Sequence, residues 1–342
     1  MKTKLEMLSF EKIVERVRKL KSDTILIIVD ERVWSLYNDK FSLEEKITDK
    51  KIIFWIAPRG EESKRISEFE KCIESLLEQG VHRNSHLIAI GGGALSDFAG
   101  FVASTILRGI DWSVVPTTLL SMVDSAIGGK VAINSRFGKN LIGAFHRPVN
   151  VWINTEFLNS LSEEEIKSGT GEVLKYAFLS KDIYEMIIQK KGRNEIIKAC
   201  ANFKLDVVNE DPFEKGKRKI LNFGHTLGHA LEKASSLKHG VAVVWGMAIF
   251  FLIFNEGKYL NELKALKNIL GWGDELPPWN VGAVPTNNII SYMEKDKKIV
   301  SGDTIDIVLV EGIGKPVIRE YTIEEIKNKV KSGLDESINI IL

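Results

Sequence analysis

The N-terminal part of the chain alternates short apolar runs with longer mixed segments. Asp23 to Asp30 reads DTILIIVD, a β-branched run closed by a carboxylate, and residues 52–57, IIFWIA, repeat the pattern. Such runs between polar segments predict buried strands. The segments ERVWSLY and ISEFEKCIESLLEQG carry apolar residues three and four apart, which predicts helices, the second closed by Gly80. LIAI at 87–90 predicts a third strand. Strands alternating with helices imply a mainly parallel sheet that takes ligands at the carboxyl ends of its strands. From about Glu156 the spacing becomes helix upon helix, with polar breaks near Lys191 and Lys238 and a turn at Pro277-Pro278. One late strand-like stretch, TIDIVLVEGIG, is expected to form a hairpin on the helical part. The expected class is therefore α/β, with an α/β domain over residues 1–155 and a mainly α-helical domain over 156–342.

Composition narrows this picture. At 342 residues, 44% hydrophobic and 27% charged, the chain suits a folded cytoplasmic enzyme of two domains. The start, MKTKLEMLSFEKIVERVRKL, is charged throughout and predicts no signal peptide. The longest apolar run, Val241 to Phe254, is broken by Gly246 and bounded by Asn255. It is shorter than the roughly 20 residues of a membrane span, so a buried helix is expected and no membrane partner. Cys72 and Cys200 lie far apart, which fits a reducing compartment. A net charge of +1 offers no broad basic field for nucleic acid.

Three groups of residues carry candidate chemistry. The strand LIAI runs into Gly91-Gly92-Gly93-Ala94-Leu95-Ser96-Asp97, where backbone without β-carbons opens a helix. That suits either a tight strand–helix turn or the approach of a pyrophosphate. Asp30 ends the first strand and suits either ribose hydroxyls or a helix N-cap. Arg59-Gly60-Glu61-Glu62-Ser63-Lys64 ends the next strand, as a loop lining the same crevice or an ordinary solvated one. Second, His225 and His229 lie four apart on an expected helix and His239 follows, three of only six histidines. Catalytic zinc takes three protein ligands, often histidines with one carboxylate. Glu172, in an apolar segment with Lys175 one turn on, offers that carboxylate. Third, Arg108, Lys130, Lys139, Lys204, Arg218 and Lys297 stand in glycine-rich or apolar settings rather than in a solvated run such as that from Lys327. Isolated cations of this kind suggest a small substrate with several negative charges.

The segments GGGALSDFAGF, RGI, VPTTLLSMVDSAIGGK, GKNLIGAF, GEVLKY, EKGKRKILNFGHTLGHALE and MEKDKK stand in the order of the 3-dehydroquinate synthases, and the resemblance covers nearly the whole chain. It implies a Rossmann-like NAD-binding N-terminal domain and a helical metal-binding C-terminal domain. It further implies zinc, with cobalt as a substitute, held by Glu172, His225 and His239. Asp124, Lys130, Asn140, Lys175, Lys204, Arg218, Asn222, His229 and Lys297 would contact substrate, and Arg108 would reach a neighbouring subunit's phosphate site in a homodimer. Asp30, Glu61, Lys64, Gly91, Gly92, Gly93, Asp97, Thr117, Thr118 and Lys139 resemble the NAD contacts. The implied reaction converts 3-deoxy-D-arabino-heptulosonate 7-phosphate to 3-dehydroquinate and phosphate by transient oxidation, phosphate elimination, reduction and intramolecular aldol closure. A sibling sugar phosphate cyclase and an iron-type polyol or alcohol dehydrogenase are the rival readings.

The chain also departs from its relatives' pattern. Val241 stands where a polar or acidic residue is common, the His229–His239 connection is short, and Ser96 replaces a frequent glycine. Val241→Glu is expected to change activity only modestly, and Arg218 is expected one helical turn from Asn222.

Overall fold

The computed structural model describes residues 2–235, 237–255, 257–277, 279, 286–297, 303–337, 340 and 342, without the side chains of 286 and 294–297. It divides into two compact units, Met1–Leu161 with Lys204–Phe213, and Ser162–Phe203 with Glu214–Leu342.

The first unit contains, in chain order, β1 (Lys4–Met7), α1 (Phe10–Arg18), β2 (Thr24–Asp30), α2 (Glu31–Phe41), α3 (Leu43–Lys46), β3 (Lys51–Ala57), α4 (Ile66–Glu78), β4 (His86–Gly91), α5 (Gly93–Thr105), β5 (Trp112–Pro116), β6 (Lys130–Ser135), β7 (Gly138–Phe145) and β8 (Asn150–Ile153). Six strands form a parallel sheet in the order β1-β8-β5-β4-β2-β3. Ile25 to Val29 of β2 are buried on both faces, which is why that run is continuously apolar rather than alternating. The strands expected at 23–30, 52–57 and 87–90 are present, as β2, β3 and β4. β6 and β7 form a separate antiparallel hairpin.

The second unit contains α6 (Glu163–Leu179), α7 (Lys181–Ile188), most of α8 (Arg193–Glu210), α9 (His225–Ser235), α10 (His239–Asn255), α11 (Leu260–Ile269), α12 (Thr286–Lys297), the hairpin β9 (Thr304–Gly312) and β10 (Lys315–Thr322), and α13 (Ile323–Glu336). α10 is buried from Gly240 to Phe251, as an all-apolar helix must be. Among the described residues no helix is long and apolar enough to cross a membrane. Pro278 lies outside the described residues, so the expected Pro277-Pro278 turn is not located.

Glycines set how closely the central helices cross. A Cβ on Gly171 of α6 would stand 2.2 Å from the main-chain oxygen of Gly240, and one on Gly246 of α10 would stand 2.1 Å from that of Gly224. Neither contact tolerates a side chain, so α6, α9 and α10 approach backbone to backbone.

Candidate active site

In the second unit the close crossings bring three ligand-bearing side chains together. Glu172 lies in the buried part of α6, fully out of solvent, while His225 and His239 are the first residues of α9 and α10. Glu172 Oε1 is 3.6 Å from His225 Nε2 and 3.3 Å from His239 Nε2. One ligand atom from each residue lies within 4.8 Å of the others. Ligand atoms about 2 Å from a tetrahedral zinc are themselves about 3.3 Å apart, so this oxygen–nitrogen set fits such an ion. The other Glu172 oxygen pairs with the Lys175 ammonium, itself buried. Glu172 and Lys175 thus form an ion pair within α6 that lies inside the protein.

The electrostatics follow from burial. His225 is held well below its ordinary pKa by desolvation first and then by the charge of Lys175, against the pull of Glu172. Burial also disfavours a charge on His239, but hydrogen bonds with Glu172 and Glu232 outweigh it and raise its pKa to about 9. Both imidazoles turn Nδ1 to an oxygen, His225 to the Phe223 carbonyl at 3.1 Å and His239 to Glu232 at 3.1 Å. His229 stands beside both, with ring centroids 5.4 Å from His225 and 6.0 Å from His239.

Before α9, residues Lys217–Asn222 form a separate 3-10 helix, and Gly224 with φ +76° breaks it from α9. Arg218 is buried there. Asn222 donates to Glu214 Oε1 at 2.7 Å. Arg218 and Asn222 are therefore not one α-turn apart, because with three residues per turn Arg218 lines up with Leu221. Lys297 ends α12, and its side chain lies outside the described residues.

In the first unit β4 ends at Gly91, and Gly92 opens α5 with no side-chain cap, leaving N–H groups at the helix start. Packing also favours glycine here: a Cβ on Gly93 would stand 2.6 Å from Ser125 Oγ, and one on Gly92 3.0 Å from Thr118 Cγ2, so either would make a neighbouring side chain shift. A network runs beside this turn. Buried Lys64 donates to Asp97 at 2.7 Å and to the Asn140 side-chain oxygen. Asn140 N–H donates to Asn134 at 3.0 Å, and Asn134 donates to Glu61 at 2.7 Å. Burial pushes the Asp97 carboxyl up to about 6, although Lys64 favours its charged form. Asp30 caps α2 through bonds from the Arg32 and Val33 N–H groups. The Thr117 N–H bonds the Gly91 carbonyl at 2.9 Å, and the Thr118 hydroxyl lies 2.9 Å from that of Ser121. Lys139 lies exposed on β7.

Lys204 is buried in the same unit, 2.8 Å from both the carboxylate and the carbonyl of Asp124. Lys130 begins β6 just after Gly128 and Gly129, both at positive φ. Arg108 is exposed, and it and Leu107 adopt φ of +71° and +53°, conformations that side chains rarely accept without a functional or structural demand.

Two sequence models match this chain in succession, 3-dehydroquinate synthase N-terminal over residues 54–168 and 3-dehydroquinate synthase C-terminal over residues 169–299. A 3-dehydroquinate synthase from Thermoanaerobacter pseudethanolicus is 36% identical over 342 residues, covering 94% of each chain. Another, from Staphylococcus epidermidis, is 39% identical over 310 residues, covering 85% of this chain and 84% of that one. The chain belongs to the 3-dehydroquinate synthase family. Its fold is also that of a solved 2-epi-5-epi-valiolone synthase from Streptomyces hygroscopicus, with NAD+ and Zn2+ bound there, at TM-score 0.80 and 22% identity over 98% of each chain.

Seen as a 3-dehydroquinate synthase, the chain holds two carboxylates that the motif reading passed over. Glu214 contacts Asn222 and Glu232 contacts His239. Both occur inside the segment EKGKRKILNFGHTLGHALE, but an acidic residue amid polar neighbours reads as a solvated face. The structure also locates the Val241 departure: that side chain is buried in α10, 8% exposed.

Proposed function

We propose that this protein is a cytoplasmic 3-dehydroquinate synthase, converting 3-deoxy-D-arabino-heptulosonate 7-phosphate to 3-dehydroquinate and phosphate with no net consumption of NAD. The observation that carries the reading is the convergence of His225 and His239 on buried Glu172 in a chain of this family. These three would hold zinc or cobalt. When bound, the metal acidifies the hydroxyl to be oxidised and NAD supplies a reversible hydride acceptor.

The protein's own residues bind and orient. The 1–155 domain would take NAD on the free N–H groups of α5 beyond Gly91, Gly92 and Gly93. Asp30, Glu61, Lys64, Asp97, Thr117, Thr118 and Lys139 would surround it. The Lys64 bridge to Asp97 and Asn140 would tie the nucleotide contacts to a substrate contact. The 156–342 domain would hold metal and most of the substrate. Arg218, buried, and Lys204, fixed by Asp124, would hold the carboxylate. Lys130, Asn140, Lys297 and Arg108 would hold the phosphate that leaves. Lys175 would balance the Glu172 charge, Asn222 would meet a substrate hydroxyl, and His229 would move a proton at its imidazole.

A homodimer is part of the proposal. Exposed Leu141 and Phe145 on the β6–β7 hairpin, with Phe213 packed on Phe145, offer apolar side chains to a second copy. The strained, exposed Arg108 would then act on the partner's phosphate site.

The test is phosphate release from the heptulosonate phosphate with catalytic NAD, with and without chelator. Release should require both NAD and metal, with no growth of NADH absorbance. Stoichiometric NADH would favour a dehydrogenase. Activity only on a sugar phosphate that lacks the carboxylate would favour a sibling cyclase.

A further inference from the structure

We propose that Glu232 is a positioning residue for the metal site, fixing His239 in the tautomer and rotation that present Nε2 to the ion. The inference rests on the reading of Glu172, His225 and His239 as metal ligands. A histidine that binds a metal through Nε2 must carry its proton on Nδ1, and an acceptor at Nδ1 selects that form and stops the ring from turning. His239 has this arrangement: Nε2 lies 3.3 Å from Glu172 Oε1, and Nδ1 lies 3.1 Å from Glu232 Oε2. His225 meets the same need differently, with Nδ1 3.1 Å from the Phe223 main-chain oxygen. One imidazole is thus fixed by backbone that comes with the start of α9, while the other depends on a side chain.

The helix explains why Glu232 can reach. It stands seven residues after His225 and three after His229 on α9, so all three fall on one face across two turns. α9 ends at Ser235 and α10 begins at His239, so the short connection returns the chain to that face within a few residues. The connection that departs from the relatives' pattern is therefore paired with a carboxylate able to receive the ring it delivers. The Glu232 side chain is 31% exposed, so the contact is not forced by burial.

The experiment compares the wild type with Glu232→Gln, Glu232→Ala, Glu172→Gln and His225→Ala. Zn2+ affinity is measured by competition with a chromophoric chelator, and the melting temperature of the metal-free proteins is recorded. Loss of an outer partner to a ligating histidine weakens metal binding about 10- to 100-fold. Glu232→Ala should show that loss with an unchanged metal-free melting temperature. Glu232→Gln, isosteric and keeping an acceptor oxygen, should lie between it and wild type. In the zinc-saturated enzymes turnover should recover toward wild type, since the contact acts on affinity for the ion through His239. Wild-type zinc affinity in both Glu232 variants, alongside loss in Glu172→Gln and His225→Ala, overturns the inference and leaves the ligand reading standing. Wild-type affinity in the latter two as well overturns the ligand reading and this inference with it. A Glu232→Ala protein that melts early while Glu232→Gln keeps full affinity assigns Glu232 to the fold and also overturns it.

Discussion

A Cβ placed on Gly240 would stand 1.8 Å from the main-chain oxygen of Ser168. No side chain fits that gap, so α10 crosses α6 at this depth only through glycine. Ser168 is one turn before Glu172, and Gly240 directly follows His239, so the crossing sets the distance between the two ligand-bearing groups. Gly240→Ala should push the helices apart and cost about 1–3 kcal/mol by overpacking. A site that tolerates only about 0.5 Å should lose its metal as well. Metal content and thermal unfolding of the purified variant check this, and normal zinc with normal turnover would refute it.

His239→Ala should be as damaging to zinc binding and turnover as His225→Ala, since a catalytic zinc site ordinarily needs three protein ligands. Metal analysis of both variants beside wild type checks the claim; full occupancy in His239→Ala would move the third ligand to His229. The expectation for Val241→Glu changes with the structure. Val241 is buried, and an unpaired carboxylate there costs several kcal/mol of desolvation. The variant should therefore be poorly folded, read as a lowered melting temperature, rather than modestly altered in rate.

The elements legible in the sequence are those whose burial is written in one local pattern. β2 and β4 are buried on both faces and read as unbroken aliphatic runs, and α10 reads as a core helix for the same reason. β1, KLEM, has no such run; it is an edge strand paired with β8, with Lys4 N–H bonded to the carbonyl of Val149, just before β8, at 2.9 Å. β6 and β7 escaped for another reason: their lysines and glycines carry the anion-binding pattern, which masked the hairpin that presents them. The histidine spacing was enough to suggest a metal site. The contacts of Glu214 and Glu232 were not legible, because each is made only after the 3-10 turn and α9 have formed.

His86 gives a pH-dependent prediction within the first unit. It is buried at the start of β4 with Nε2 2.8 Å from Ser113 Oγ. Burial lowers its pKa to about 4, against a weaker opposite pull from Asp111. The folded value lies below the unfolded value of about 6.5, so folding favours the neutral ring. Its contribution is fully present above pH 6.5, shrinks as the pH falls from there, and is lost near pH 4. The shift corresponds to about 3 kcal/mol at most. Urea unfolding at pH 7.5 and pH 4.5 should show a stability drop about 2–3 kcal/mol larger in wild type than in His86→Gln. Equal drops in the two proteins would count against it.

Arg218 bears on which substrate the enzyme takes. It is buried in the 3-10 turn Lys217–Asn222, so its guanidinium is held by the fold rather than swinging free in solvent. A planar fork can give a carboxylate two parallel hydrogen bonds, while a lysine gives a point charge with no fixed second donor. Arg218→Lys should thus lose about one charge-assisted bond, roughly 1.5–3 kcal/mol, or about 10- to 100-fold in kcat/KM with the acidic heptulosonate phosphate. Turnover of a sugar phosphate without the carboxylate, if measurable, should be unchanged. A melting temperature close to wild type shows that the change lies in recognition, because a buried arginine also supports its surroundings. Near-normal kcat/KM with the acid would mean that Arg218 does not read the carboxylate, and the sibling cyclases would become the better description of the chain.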